Sequence, residues 1–232
     1  MKSPEKDGEL DFLGGLARST SRRNFLQWSG ITIAVAAIGC SDNSNVGPNP
    51  SGAVDLGSGD TGVLNYAYAL EQLEAAFYTQ VVASFYAGAS AGEQTILTDI
   101  KSHEVIHRNF LKAALGSAAI ADLAVDFTSI NFADRASVLG AAKAFEDLGV
   151  AAYNGAGKLI VSPDYLVLAG KIVSVEARHA AAIRDLLQAN SFAGSDVVNA
   201  NGLDQAKAPS EVLAAADVYI TTTVTANNLP TT

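Results

Sequence analysis

Glu104-Val105-Ile106-His107 and Glu176-Ala177-Arg178-His179 are two copies of one pattern, a carboxylate followed three residues later by an imidazole, in a chain of 232 residues with nine Glu and three His. Random placement gives about 0.12 of one such motif, so the pair constrains the fold more than any other feature. At i and i+3 on a helix the two side chains share a face about one turn apart, and both can reach one metal ion or two neighbouring ions. Upstream of each copy stands a single acid with a Tyr seven residues later, Glu71 with Tyr78 and Glu146 with Tyr153. Seven residues are close to two turns, so each Tyr lies on the face of its own Glu. The chain therefore reads as a twofold repeat whose unit is a pair of helices.

Hydrophobic periodicity supplies the helices. From Thr61 to about Ala87 apolar residues recur at spacings of three and four, with no Pro or Gly between Val63 and Tyr86. Glu93 to about Leu115 gives the second helix, with Ile96, Ile100, Ile106, Phe110, Leu111 and Leu115 as its buried stripe and Gly116 at its end. The stretch 117–132 is longer than a tight turn and is expected to cross the bundle. Asp134 can cap a third helix to about Ile160, and Ser162-Pro163 opens a fourth to about Asn190. After a loop, Pro209 opens a short helix to about Ile220, although Val218, Ile220 and Val224 are compatible with a short strand. The expected fold is all-α, a four-helix bundle over 63–222 with a long crossover between helices 2 and 3 and a short C-terminal helix; 223–232 reads as a frayed tail.

Four carboxylates and two imidazoles facing a helical core leave buried charge unpaired, at a cost of several kcal/mol per ion. Two divalent cations remove that cost, and oxygen-rich ligation with a few imidazoles suits iron or manganese, with zinc also compatible. The ordinary alternative is a solvated helix face bearing i, i+3 pairs, which the repeat argues against. Glu74, three residues after Glu71, is expected at the surface or in a capping role, with a place at or beside the ligands as its alternative. Asp147 rotates about 100° from Glu146 and is expected in solvent. His103 is expected to be an exposed or packed imidazole outside the ligand set, and Tyr78 and Tyr153 are core aromatics with a hydrogen-bonding or redox role as the alternative.

These residues resemble the ferritin-like superfamily of di-iron and di-manganese carboxylate proteins over about 60–190. The Leu64-Asn65 start and the run from Leu70 to Tyr78 are similar to secreted ferritin-like proteins that include desiccation-related members. The resemblance implies that Glu71 and Glu146 are the single-helix carboxylate ligands, that Glu104 and Glu176 bridge two ions, and that His107 and His179 each hold one. It further implies redox chemistry with dioxygen or peroxide, of ferroxidase or peroxide-removing type. The alternative is a non-enzymatic envelope or stress protein with a structural or vestigial metal site.

The N-terminal 40 residues read as an address. Arg22-Arg23 before Phe25-Leu26 resembles a twin-arginine signal, and Ala37-Ile38-Gly39-Cys40 resembles a lipobox whose Cys carries the lipid. The apolar run between them is too short for a comfortable membrane span. Residues 41–62, rich in Ser, Asn, Gly and Pro, read as a flexible linker. A bacterial periplasmic or membrane-anchored lipoprotein is expected. The formal net charge of -9 argues against nucleic-acid binding, the single Cys excludes a thiolate cage within one chain, and a homodimer is compatible with the layout.

Overall fold

The computed structural model of the chain describes residues 52–231; the expected export signal, with Arg22, Arg23 and Cys40, lies outside the described residues. Five α-helices carry the fold: α1 (Gly59–Ala83), α2 (Ala91–Leu115), α3 (Arg135–Ala156), α4 (Pro163–Leu187) and the short α5 (Pro209–Ala216). The all-α expectation holds. The four long helices pair chiefly as two hairpins, α1 with α2 and α3 with α4.

Helix starts follow from local hydrogen-bond chemistry. Ser90 Oγ accepts the Glu93 N–H at 3.2 Å while the Glu93 carboxylate accepts the Ser90 N–H at 2.8 Å, a reciprocal cap that starts α2 two residues before Glu93. Asp134 caps α3 by accepting the Ser137 N–H at 2.8 Å, and Pro163 stands at the first position of α4 behind Ser162. α1 stops at Ala83, short of Ala87, and the chain then turns to bury Tyr86.

The connection between α2 and α3 does cross the bundle, and two amides of α1 hold it there. Asn65 donates to the carbonyls of Leu56 and Ala118 and accepts the Ile120 N–H, and Gln72 accepts the Leu123 N–H at 2.7 Å. Phe127 and Ile130 of the connection are buried. Phe77 of α1 gathers Phe127, Phe132 and Phe145 at centroid separations of 5.8, 5.9 and 5.0 Å, an aromatic knot that fixes α1 against α3.

Three further boundaries differ from the sequence expectation. The linker expected at 41–62 ends earlier, because Val54–Asp55 (β1) pairs in parallel with Val224–Thr225 (β2) and Leu56 is fully buried. The same pairing ties down the tail expected to fray from 223, where Leu229 is also buried. α5 ends at Ala216, and Ile220 instead bridges Val125 of the crossover. These short apolar pieces have no periodicity of their own and are ordered by one another.

The buried stripe of α2 also differs. Ile106 and Phe110 are exposed, at 61% and 41%, whereas Leu97, Ile100, Glu104 and Leu111 are buried. With His107 these form a continuous row at spacings of four and three, so the acid and the imidazole belong to the inward face. α4 repeats this with Ile172, Glu176, His179 and Ile183. No helix among the described residues is long and apolar enough to cross a membrane.

Candidate metal centre

Each long helix delivers one buried carboxylate to the bundle interior: Glu71 from α1, Glu104 from α2, Glu146 from α3 and Glu176 from α4, all 0% exposed. His107 and His179 stand one turn beyond the acids of α2 and α4. Each imidazole crosses to the other helix's acid: His107 Nδ1 lies 2.8 Å from Glu176 Oε1, and His179 Nδ1 lies 2.7 Å from Glu104 Oε1. His107 Nδ1 is also 3.6 Å from Glu71 Oε2, and His179 Nδ1 is 3.5 Å from Glu146 Oε2.

The tyrosines cross in the same way. Tyr78 of α1 donates to Glu146 Oε1 of α3 at 2.6 Å, and Tyr153 of α3 donates to Glu71 Oε1 of α1 at 2.5 Å. Seven residues forward on α1 match seven residues backward on α3, so the two helices run antiparallel through the site. Each Tyr therefore serves the opposite helix's acid, which spacing within one helix does not reveal. Both phenols are pushed well above their ordinary range by burial, then by the adjacent carboxylates, and remain protonated donors.

Beyond the close imidazole–carboxylate approaches, a defined set of buried atoms makes no well-aligned hydrogen bond among the described residues: Glu71 Oε2, Glu146 Oε2, both oxygens of Glu104 and of Glu176, and the Nδ1 atoms of His107 and His179. Orphaned buried polar atoms are rare and call for an explanation. Here they converge. Glu71, Glu104, His107 and Glu176 place one ligand atom each within 4.8 Å of one another, and so do Glu104, Glu146, Glu176 and His179. Glu104 and Glu176 belong to both groups. The donor set, four carboxylates and two imidazoles, fits metal ions, and either group could hold one.

Without a metal, protons compensate the charge. Burial lifts Glu71 to about 7, with the nearby His107 pulling the other way, and lifts Glu146 likewise to about 7 against His179. Glu176 rises well above its ordinary value through burial and the negative charge of Glu104 and Glu71. Glu104 is the exception: burial pushes it up, but His107 and His179 together hold it at about 2. Burial pushes both imidazoles down, yet the carboxylates around them win, and His107 rises to about 12 and His179 to about 10. A metal taken up here displaces these protons.

Two neighbours stand differently from expectation, and a third adds a contact that was not foreseen. Glu74 is 4% exposed and faces the cluster beside Glu176 and Gly149, because the inward face of α1 is wide enough to include it with Glu71. Asp147 is not free in solvent: it receives Nε and Nη2 of the buried Arg184, each at 2.7 Å. His103 is exposed, as expected, and lies outside both groups. It nevertheless stacks on His179, with its Nδ1 2.9 Å from His179 Nε2, leaving the Nδ1 of His179 turned to the acids. Gly149 carries no chemical group of its own, and its contribution is the space it leaves beside Glu74 and Glu176.

A bundle of two helical hairpins that buries a carboxylate and histidine cluster between them defines a class of helical proteins with an interior able to bind metal. Residues 59–189 match the ferritin-like domain family, more than half of the chain. The chain belongs to that family. No curated protein is significantly similar to it.

Proposed function

We propose that the protein is an extracytoplasmic di-metal carboxylate protein holding two iron or manganese ions and reacting with dioxygen or peroxide, in ferroxidase or peroxide-removing chemistry. The observation that carries this reading is the convergence of orphaned ligand atoms into two groups sharing Glu104 and Glu176. On this reading Glu71 and His107 would hold one ion, Glu146 and His179 would hold the other, and Glu104 and Glu176, which belong to both groups, would serve both. Bound iron or manganese supplies one-electron steps between the +2 and +3 states and open positions for an oxidant. The chain's own residues do the rest. Tyr78 and Tyr153 fix one oxygen of Glu146 and Glu71, leaving the second oxygen directed inward. His103 orients His179. Tyr153 also lines an apolar cleft with Tyr66, Leu70, Phe110 and Ile172, in which a weakly polar molecule such as dioxygen loses little solvation.

The complete burial of the four carboxylates also favours a second reading, a desiccation-related envelope protein whose metals are structural and add folding free energy. The Arg22-Arg23 and Cys40 motifs support export by the twin-arginine route and lipid anchoring in both readings. The test is elemental analysis of protein exported through its own signal and purified without chelator, followed by anaerobic Fe(II) loading and exposure to air or peroxide. About two ions per chain, lost when Glu104 and Glu176 are both changed to Ala, with turnover of the oxidant, is the expected result. Two ions without turnover selects the structural reading. A folded, metal-free protein that takes up neither Fe(II) nor Mn(II) removes both.

A further inference from the structure

The ligand residues and tyrosines of the two halves repeat each other, but the position one turn after the single acid does not. Three residues after Glu71 stands Glu74; three residues after Glu146 stands Gly149. The two positions meet. A methyl group placed on Gly149 would lie 3.0 Å from Glu74 Oε1 and 3.4 Å from Glu176 Oε2. The missing side chain thus makes room for the Glu74 carboxylate at the place where the second oxygen of Glu176 also arrives, its first oxygen being turned to His107. Glu74 is 4% exposed, and among the described residues no hydrogen-bond donor or cation partners it. A carboxylate buried without a partner is unfavourable, and a glycine inside a helix is unfavourable too. Each is explained if the carboxylate has a cation to meet.

We propose that Glu74 is a fifth carboxylate ligand, serving the ion that takes Glu176 Oε2, so that the two metal positions are unequal although their four-residue groups match. Glu74 lies outside both groups, and its flexible side chain closes the gap through the space Gly149 leaves open. This inference rests on the di-metal reading and adds that the positions fill in order, the five-residue position first.

Stepwise titration of Mn(II) into the metal-free full chain, anaerobically and by calorimetry, tests it with E74Q and G149A beside the unaltered protein. The unaltered protein should bind about two ions in two steps of unequal affinity. Glu74→Gln preserves shape and should weaken one step by about tenfold or more, with the other changed far less. Gly149→Ala keeps the charge but crowds the carboxylate, and should weaken the same step; it carries the test if the Gln variant fails to fold. Two steps unchanged in both variants overturn the proposal, as does equal weakening of both steps, which marks a distant charge and not a ligand. Absence of Mn(II) uptake by the unaltered protein is a different result, the failure of the di-metal reading itself.

Discussion

Tyr78 and Tyr153 show how few contacts hold the buried carboxylates in place. Each donates to the carboxylate oxygen that faces away from the cluster, and among the described residues no other donor meets that oxygen. Tyr153→Phe therefore strands Glu71 Oε1 in the interior. The fold is expected to lose about 1–3 kcal/mol, and metal affinity about 10–100-fold, read by thermal melting and by competition with a chelator. Tyr78→Phe acts on Glu146 in the same way. Equal affinity in the variants and the unaltered protein would mean that the phenols only fill space.

At the level of elements, Arg184 of α4 is the clamp of the second hairpin. Its guanidinium spans Asp147 on α3 and Asp196 in the loop before α5. Arg184→Leu should cost about 2 kcal/mol in urea denaturation, below the 3–5 of a fully buried pair because Asp196 is half exposed, with the metal content unchanged. Such clamps were hard to read in advance. The four long helices and the carboxylate and histidine rows were legible because their period is local: spacings of three and four put Glu104 with His107 whatever else the chain does. Ile106 and Phe110 misled, because counting only apolar residues shifted the stripe of α2 off the acid and imidazole that occupy its inner face. Asp147, Glu74, Gly149 and the crossed tyrosines were illegible for one reason. Their partners lie on other helices, and only the packing of α1 against α3 and of α3 against α4 brings them into register. β1 and β2, two residues each and about 170 apart in sequence, gave no local signal.

For the whole molecule, the buried acids set a pH dependence opposite to the usual acid lability. Glu71 and Glu146 have native values near 7 against an ordinary 4.5, so in the metal-free protein they bind protons more tightly folded than unfolded. Their contribution is complete below about pH 4.5 and is lost as the pH rises through 7. His107 and His179 act with the same sign, their contributions shrinking above 6.5, whereas the depressed Glu104 matters only as the pH falls towards 2. The melting temperature of the metal-free protein should fall between pH 5 and 8. Saturating Mn(II) should raise it, and by more at pH 8, since fewer protons compete; a metal-free melting temperature that climbs over this range would show the cluster ionised in the native state. The crossed pairing has one more consequence. A hairpin of α1 and α2 alone owns a carboxylate without its phenol and a phenol without its carboxylate, and so does a hairpin of α3 and α4. Two hairpins face to face own both. The centre is thus divisible by two and no further, and the crossing segment between α2 and α3 works as a tether: it replaces a bimolecular encounter of half-sites with an effective concentration, so that the site assembles at any dilution of the protein.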